Sequence, residues 1–330
     1  MSRICLYYRA LPEQDRWIPG DRHIRPYIRR LIRGPQKLGG VDWVFVNLCK
    51  GLDQLGIPYE VNLPYEDLRA DDRIGCLGKG RNCLDGYDRP FPILAGIGLM
   101  SHPLDWPELF TTHPIVRYLA HCEWARSFIQ PFMPVPCDLW PVGIDTDFWA
   151  PPAKQKEKEF DILIYNKLLW NIPQMTASFL DPIRNELAKR NLRVKELVCG
   201  SYTLDQYKEY LQQSRGLLFI SAHETQGLAL QEGMACDVPV LVWNPGKMQD
   251  PQRFSWNLPD IDSETAPFFD ERCGEQFIGG LDFAGQLDRF MEKLDQHQYA
   301  PRDYMLENLT LKRCSQHFVD LLDQVQAEQQ

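Results

Sequence analysis

Short apolar runs alternate with amphipathic segments along the chain, and this alternation predicts an α/β fold with parallel sheets. In the first half, residues 41–55 place apolar side chains at helical spacing. Shorter helices are predicted at 114–119 and 123–130, and strands are predicted at 3–9, 59–62, 92–98 and 137–142. Residues 64–90 are polar and rich in Gly, Asp and Arg, so they give no prediction.

The second half repeats the alternation more regularly. Its predicted strands are 160–166, 194–200, 216–222 and 239–243, and its predicted helices are 175–190, 203–213 and 227–236. A helix in each gap between strands predicts a doubly wound parallel sheet, in which ligands bind at the carboxyl ends of strands. Residues 245–285 are expected to be irregular, and a final helix is predicted at about 303–326.

A stretch rich in proline and charge, residues 151–159, divides the two halves. Its sequence is PPAKQKEKE, with no apolar residue larger than alanine, which is typical of an interdomain linker. A chain of 330 residues has room for two domains of ordinary size. We predict an N-terminal domain at 1–150, a C-terminal domain at 151–302 and a C-terminal helix at 303–330.

The composition is that of a globular protein in water, with 44% hydrophobic and 25% charged residues. A net charge of −9 does not favour nucleic acid as a partner. The chain opens on a strand-like segment instead of a signal peptide, and no apolar stretch approaches the ~20 residues of a membrane span. The ten cysteines contain no Cys-x-x-Cys pair and are expected to be free thiols, mostly buried. These features predict a cytoplasmic protein without a metal site.

Basic residues are concentrated near the start of the chain. Residues 1–40 carry nine basic and three acidic side chains, and residues 16–37 interleave arginines with apolar side chains. Such a segment could contact the inner face of a membrane or an anionic acceptor. It could equally be a surface segment whose arginines pair with acids elsewhere, and the sequence does not separate the two interpretations.

Two acids flank the turn into the predicted helix at 227–236. Glu224 follows the apolar run 216–222, and Glu232 lies inside the helix with seven residues between the two. A helix N-terminus presents unpaired N–H groups and a partial positive charge, which suit a phosphate. Carboxylates on either side could accept hydrogen bonds from hydroxyls, so the pattern fits a nucleotide-sugar. The alternative is that Glu224 only favours a helix start and Glu232 lies on a solvated face.

The stretch from His223 to Val240 resembles the E-x7-E signature of retaining GT-B glycosyltransferases of family four. The segment WPVGIDTDFW at 140–149 resembles the family's N-G-I-D-x-x-x-F segment, and Gly39-Gly40 resembles its first-domain glycine pair. The resemblance implies the GT-B fold, with two Rossmann-like doubly wound domains facing a cleft. It also implies that the C-terminal helix packs back on the first domain.

The resemblance implies donor-binding roles for individual residues. Glu232 would bind the ribose hydroxyls, Glu224 the hydroxyls of the transferred sugar, and the N–H groups of Gly227 and Leu228 the diphosphate. The other donor-binding candidates are Thr225, Gln226, Tyr202, Gly39 and Gly40. Tyr202 could stack on the base or simply pack in the core. Gly39 and Gly40 would let the backbone approach the diphosphate, although a glycine pair is also common in plain turns.

Lys167, at the end of the predicted strand 160–166, is the expected cation for the leaving diphosphate. It could instead be a solvated lysine at a sheet edge. The family usually places a second basic residue five or six positions later, where this chain has Ile172 and Pro173. His102 is a catalytic candidate near the sugar and the acceptor, and the alternative is a structural hydrogen-bonding role.

The predicted activity is retaining transfer of a hexose-type sugar from a nucleoside-diphosphate-sugar to a hydroxyl acceptor, which could be a glycan, a lipid or a small molecule. No cofactor and no obligatory metal are expected beside the donor. One alternative is a nucleotide-sugar epimerase or a phosphorylase of the same fold. Another is a catalytically inactive nucleotide-sugar-binding protein, suggested by the absent second basic residue.

Overall fold

The structure is a computed structural model that describes residues 2–9, 39–153 and 157–328. The basic segment 16–37, for which the sequence left open either contact with a membrane or anionic acceptor or a plain surface role, lies outside the described residues. The chain divides into two compact α/β units. The first unit comprises Met1–Leu119, Phe132–Asp138 and Ser315–Gln330, and the second comprises Ala120–Pro131 and Leu139–Cys314.

The strands within the described residues are β1 (Ile4–Tyr7), β2 (Tyr59–Val61), β3 (Arg73–Cys76), β4 (Ile93–Gly96), β5 (Ile115–Ala120), β6 (Cys137–Leu139), β7 (Phe160–Lys167), β8 (Val194–Val198), β9 (Ser214–Ser221), β10 (Val240–Trp243) and β11 (Gly274–Phe277). The α-helices there are α1 (Gly40–Leu55), α2 (Leu109–Thr112), α3 (Glu123–Ile129), α4 (Ile172–Met175), α5 (Asp181–Lys189), α6 (Leu204–Gln213), α7 (Leu228–Ala235), α8 (Gly280–Asp295), α9 (Pro301–Asn308) and α10 (Leu311–Ala327).

The first unit contains a six-stranded sheet with the order β2-β1-β3-β4-β5-β6. Strands β1 to β5 pair in parallel, and β1 is buried along its whole length. The last helix contributes to this unit from Ser315 onward. Its Phe318 packs so closely on β3 that a Cβ added at Gly75 would lie 2.9 Å from the Phe318 ring, and Asp323 pairs with Arg73 at 2.7 Å. The unit is therefore a Rossmann-like layer structure completed by the C-terminal helix.

The second unit contains a five-stranded parallel sheet with the order β11-β10-β9-β7-β8. Successive side chains of a strand point to opposite faces, so β7 supplies both cores. Leu163 and Tyr165 join the apolar cluster that includes residues of α6 and α7, and Ile162 and Ile164 join the cluster that includes residues of α5 and α8. Both faces of the sheet are covered by helices, which explains the continuous apolar runs in the sequence.

Most of the predicted elements are confirmed, and the differences have identifiable causes. The helix predicted at 114–119 is wrong: Ile115–Ala120 is strand β5, because a buried run this short carries no period that separates helix from strand. Strand β3 lies in the unassigned stretch 64–90. Strand β11 and the start of α8 lie in the stretch predicted to be irregular, so the second sheet has five strands instead of four.

Two of the predicted long helices are divided. The predicted helix 175–190 consists of α4, a π-helical turn at Thr176–Leu180 and α5. The predicted helix 303–326 is α9 followed by α10. The break between them is used for pairing, because Thr310 forms a parallel β-bridge with Ile144.

The ten cysteines are free thiols, as predicted. Cys199 is exposed, Cys49 is partly exposed, and the others are buried. In the part of the chain that the structure describes, no helix combines the length and the apolar composition needed to cross a bilayer.

Candidate functional site

Two neighbouring strands of the second unit end side by side. Lys167, the last residue of β7, is the register partner of Ser221, the last residue of β9. The residues that follow each strand, Trp170 on one side and His223 and Glu224 on the other, therefore extend beyond the same edge of the sheet. In parallel α/β sheets this carboxyl edge is where ligands bind.

Lys167 and Glu224 form the centre of this cluster. The Lys167 Nζ lies 2.6 Å from the Glu224 Oε1, and the Ser221 hydroxyl donates to the same oxygen at 2.8 Å. Burial by itself lowers the pKa of Lys167, but the charge and hydrogen bond of Glu224 outweigh it and hold that pKa above its usual value. The Glu224 backbone N–H also donates to the Glu264 carbonyl at 2.9 Å. The two predicted residues are thus brought into direct contact.

Helix α7 begins at Leu228, four residues beyond Glu224, and has no side-chain cap. Gly227 stands at the N-cap with φ 74°, in the left-handed conformation that glycine adopts without strain. By contrast, helix α6 begins with Thr203, whose hydroxyl accepts the N–H of Gln206. Because the first N–H groups of a helix have no partner within it, the start of α7, including Leu228, offers donors to an anion.

Gln226 fixes the turn between Glu224 and α7. Its side-chain amide accepts the N–H of Val142 at 3.0 Å and donates to the Val142 carbonyl at 3.2 Å and to Gln231 Oε1 at 2.7 Å. Gln231 in turn donates to the Gln226 carbonyl at 2.7 Å. The predicted donor-binding side chain of Gln226 is thus buried within this network and positions the turn, whereas Thr225 beside it is exposed.

The segment that supplies Val142 is the one that resembles N-G-I-D. The Ile144 N–H donates to the Leu309 carbonyl at 2.8 Å, and the Trp140 indole donates to the Cys314 carbonyl at 3.0 Å. Gly143 is confined, because an added Cβ would lie 2.5 Å from the Leu311 Cα. The segment is therefore packed against the junction of α9 and α10, and Gln226 joins it to the start of α7.

Glu232 lies on α7 and remains partly exposed. Within the described residues its carboxylate has no hydrogen-bond or ion-pair partner, and burial raises the pKa of Glu232 to about 8. A strongly shifted acid without a compensating charge is destabilising, and such groups are concentrated at functional sites. The environment of Glu232 therefore differs from the solvated helix face that was the alternative.

Tyr202 packs near Glu232. Its hydroxyl donates to the Tyr165 hydroxyl at 2.7 Å, and its ring lies 5.2 Å from the ring of Tyr207. Tyr165 stacks on Phe219 at 5.0 Å, so Tyr202 belongs to the edge of the core. This placement agrees with the packing alternative, and the predicted stacking of Tyr202 on a base stays a prediction.

Three aromatic residues beside Glu224 were not predicted from the sequence. The Trp170 ring stacks on His223 with a centroid distance of 5.4 Å and an interplanar angle of 4°. Trp124 approaches the same imidazole edge-on at 6.0 Å and donates its indole N–H to the Glu224 carbonyl at 3.0 Å. No local sequence pattern indicated these contacts, because they depend on the pairing of β7 with β9 and on the placement of α3, which carries Trp124. Ile172, where the family has a second cation, is 51% exposed.

The predicted glycine pair lies in the first unit, at the start of α1. The Gly39 N–H donates to Asp42 Oδ2 at 2.7 Å, and Asp42 also binds Lys79 at 2.5 Å and the Tyr8 hydroxyl. Burial opposes the ionisation of Asp42, but these hydrogen bonds hold its pKa below the usual value. Gly40 is exposed, and no atom lies within 4 Å of the position of an added Cβ.

His102, also in the first unit, is fully buried. Its Nδ1 accepts the Leu104 N–H at 3.1 Å, and its own backbone N–H donates to Asp105 Oδ2 at 3.0 Å. The ring contacts Phe132 edge-on at 4.6 Å, and burial lowers the pKa of His102. This geometry agrees with the structural alternative, in which His102 caps the short 3₁₀-helix Pro103–Asp105. Among the described residues, no group of three or more His, Cys, Asp or Glu could hold a metal ion.

Comparisons with known proteins place the fold. The sequence matches no protein-family model and no curated protein. AviGT4, a glycosyltransferase involved in avilamycin A biosynthesis, has a similar structure, with a TM-score of 0.62, 15% identity and coverage of 99% of both chains. The lipopolysaccharide outer core galactosyltransferase WaaB also has a similar structure, with a TM-score of 0.52 and 15% identity. The match covers 96% of this chain and 98% of the WaaB chain.

A third similar structure is the pneumococcal O-GlcNAc transferase GtfA, solved in complex with UDP and GlcNAc. Its TM-score is 0.52 at 10% identity, over 79% of this chain and 58% of GtfA. At such identities the likeness concerns the fold alone. The two Rossmann-like units with parallel sheets thus match GT-B glycosyltransferase structures, and the chain has the GT-B fold.

Proposed function

We propose that this protein is a retaining glycosyltransferase, which moves a hexose-type sugar from a nucleoside-diphosphate-sugar to a hydroxyl acceptor. The observation that carries the proposal is the start of α7, which has no side-chain cap and lies between two acids in unlike environments. Glu224 is held by Lys167 at 2.6 Å, and Glu232 is partly buried and has no counter-charge among the described residues. This arrangement suits an anion with a polyol on either side of it.

In the proposed complex, the N–H groups of Gly227 and Leu228 bind the diphosphate together with the Lys167 ammonium. Glu232 accepts hydrogen bonds from the ribose hydroxyls, and Glu224 from the hydroxyls of the transferred sugar. These binding groups of the protein are held in place before the substrate arrives, because the Gln226 network and the Ser221 hydroxyl already hold the turn. Such preorganisation stabilises the charge that develops on the leaving group.

The chemical step exchanges one bond at the anomeric carbon. The bond from that carbon to the diphosphate oxygen breaks, and a bond to the acceptor oxygen forms on the same face of the sugar. The departing phosphate oxygen takes the acceptor's proton, so no side chain of the protein changes its protonation in the balance. The role of the protein is to position the reactants and to stabilise the leaving diphosphate.

A second candidate function is nucleotide-sugar binding without transfer. The observation that favours it is the start of helix α4, where Ile172 and Pro173 stand at the positions of the second basic residue of the family that the sequence resembles. With fewer cations the leaving diphosphate would be less stabilised, while binding through α7 would remain. The two candidates therefore differ in turnover and not in nucleotide affinity.

The first experiment is a thermal-shift panel of UDP, GDP and ADP with their sugars, with UDP and its sugars first because the similar GtfA was solved with UDP and GlcNAc. Nucleotides that bind are then tested for diphosphate release with offered hydroxyl acceptors. NMR of the product anomer tests retention, and products formed from donor alone would indicate an epimerase.

The variant Glu232→Ala should lose donor turnover with its fold intact, and Glu292→Ala, an exposed acid on α8, is the matched control. Unchanged turnover in Glu232→Ala would overturn the site. Nucleotide binding without transfer to any acceptor would favour the second candidate.

A further inference from the structure

His223 is a titratable group beside the proposed phosphate site that the proposed mechanism does not use. It immediately precedes Glu224 and lies beyond the carboxyl end of β9, as Trp170 lies beyond the end of β7. Its ring is partly buried between Trp170, stacked at 5.4 Å, and Trp124, edge-on at 6.0 Å. The imidazole is thus held at the sheet edge that also carries Lys167 and the start of α7.

The surroundings of His223 favour its neutral form. The Gln249 backbone N–H faces His223 Nδ1 from 3.5 Å, a long contact that suits an unprotonated Nδ1. Burial lowers the pKa of His223. Glu224 and Asp250 act in the opposite direction, and Lys167 and Arg253 reinforce the lowering. In the protein by itself the imidazole is therefore neutral at pH 7.

A bound diphosphate would lack positive charge at this site. Lys167 is already paired with Glu224 at 2.6 Å, and its ammonium would have to be shared between a carboxylate and the phosphate. The segment after Lys167 leads into α4, whose first residues, Ile172 and Pro173, stand where a second cation would be expected. Arg253 lies in the 249–253 segment, but its guanidinium donates to the Asp250 and Pro259 carbonyls.

We propose that His223 is the second cation of this site: it takes up a proton when a nucleoside diphosphate binds, and the imidazolium then donates a hydrogen bond to a phosphate oxygen. The inference rests on the proposed function, because it assumes that the anion at the start of α7 is a diphosphate. An added negative charge within a few ångströms favours the charged form of a histidine.

The stacked indole of Trp170 supports the same assignment. A cation over the face of a tryptophan ring is attracted by the ring quadrupole, and tryptophan is the strongest aromatic partner. The interplanar angle of 4° places the imidazole flat against Trp170, so the contact stabilises the ring when it is charged. Protonation at Nδ1 would also replace the acceptor that faces Gln249 with a donor, and the 249–253 segment would then have to shift.

The proposal fixes the sign of the pH dependence. The imidazolium is favoured in the complex relative to the free protein, so binding takes up a proton between the two pKa values. Affinity for the diphosphate is therefore highest at low pH and falls as pH rises, by up to about tenfold per pH unit for one proton. The terminal phosphate of the nucleotide itself titrates near about pH 6, so the difference between wild type and variant is the informative quantity.

The test is calorimetric titration of the protein with UDP, or with GDP or ADP if that is the nucleotide bound, in two buffers of different ionisation enthalpy near about pH 7. The expected result is that His223→Gln takes up about one proton fewer than wild type. His223→Lys, a permanent cation, should bind without that uptake and with a flatter pH profile. His297→Asn, which replaces an exposed histidine of the same unit, should match wild type.

Equal proton uptake by wild type and His223→Gln would overturn this inference and leave the proposed function standing. Should His223→Gln fail to fold, Trp170→Leu serves as the second variant, and it should lower the uptake at a given pH. The inference would also be overturned if Trp170→Leu took up as many protons as wild type on binding and if the affinity of wild type for the diphosphate did not depend on pH. Wild type that binds none of the nucleoside diphosphates would overturn the proposed function itself.

Discussion

The Lys167 ammonium lies 2.6 Å from the Glu224 carboxylate, at the carboxyl ends of two adjacent strands. Each of these groups has a separate task in the proposed complex, because Lys167 binds phosphate and Glu224 binds sugar hydroxyls. The ion pair must therefore loosen when a donor enters. A nucleoside-diphosphate-sugar can offer new partners to both groups, whereas a nucleoside diphosphate without the sugar offers one only to Lys167.

Neutralising Glu224 should separate nucleotide binding from transfer. In Glu224→Gln the Lys167 ammonium no longer has a competing carboxylate, so UDP, or whichever diphosphate binds, should bind at least as tightly as to wild type. Sugar transfer should fall by about a hundredfold or more, because the contact to the transferred sugar is weakened. Calorimetry and a turnover assay on one preparation measure both effects. A parallel loss of affinity and turnover would contradict this division of roles.

Removing the other partner should destabilise the protein. In Lys167→Met the Glu224 carboxylate, whose side chain is 11% exposed, keeps the Ser221 hydroxyl but loses its cation. We expect the free energy of unfolding to fall by about 1–3 kcal/mol. The double variant Lys167→Met/Glu224→Gln should recover part of that loss, measured by urea denaturation. A double variant as unstable as the sum of both single variants would mean that the pair contributes no coupling.

The stability of the protein should depend on pH through Glu232. Burial raises the pKa of Glu232 to about 8, above that of an unfolded chain, so the folded state retains a proton that the unfolded state releases. This contribution to stability is complete below about pH 4.5 and is lost as pH rises to about 8. Over that range the free energy of unfolding falls by at most about 1.4 kcal/mol per pH unit.

Glu232→Gln has no proton to lose, so its melting temperature should rise relative to wild type between about pH 5 and about pH 8. Melting curves at several pH values measure this difference. A constant offset between the two proteins across that range would show that Glu232 titrates normally.

The Gln226 network should be needed to keep the turn in place. Gln226→Leu keeps the approximate volume but leaves the Val142 N–H and carbonyl and the Gln231 Oε1 without their partner. The expected loss is about 2–4 kcal/mol in the free energy of unfolding, together with weaker nucleotide binding. Gln298→Leu, at an exposed position, is the control. If Gln226→Leu bound nucleotide as tightly as wild type, the network would not be needed for nucleotide binding.

Gly227 should tolerate asparagine better than alanine. With φ 74° and the nearest side-chain atom 3.6 Å from an added Cβ, the expected cost is backbone strain and not a clash. Gly227→Ala should lose about 1 kcal/mol of stability, and Gly227→Asn less, because asparagine enters this conformation more readily. If the N–H groups here bind phosphate, nucleotide affinity should follow the same order. Equal losses of stability in Gly227→Ala and Gly227→Asn would show that the left-handed conformation of Gly227 is not the reason for glycine at this position.

The sequence predicted the centre of the second sheet well because strands β7, β9 and β10 are largely buried and read as apolar runs. It failed at β11, where Glu275 is a strand residue whose carboxylate binds Lys293 at 2.6 Å. That compensation comes from helix α8, which no local pattern indicates. Strand β5 was mistaken for a helix because a six-residue segment, here with Arg117 among apolar residues, has no usable period.

For the site, the sequence located Lys167 and Glu224 separately, each beyond a predicted strand. Their contact depends on β7 and β9 being neighbours, and strand order is a property of the whole sheet. The packing of Trp124 and Trp170 around His223 has the same origin, since these residues come from three separate segments. The partial burial of Glu232 also followed from tertiary packing, because its position on α7 alone was compatible with full exposure to solvent.

A partly buried acid such as Glu232, with no counter-charge among the described residues, makes the ligand-free protein less stable than it could be. A ligand that binds only the folded state stabilises it, by about 2.7 kcal/mol at a hundred times its dissociation constant. If the donor satisfies Glu232, the cellular half-life of this protein should follow the supply of its substrate. Starvation for the donor would then expose the chain to proteases and lower its abundance without any change in synthesis.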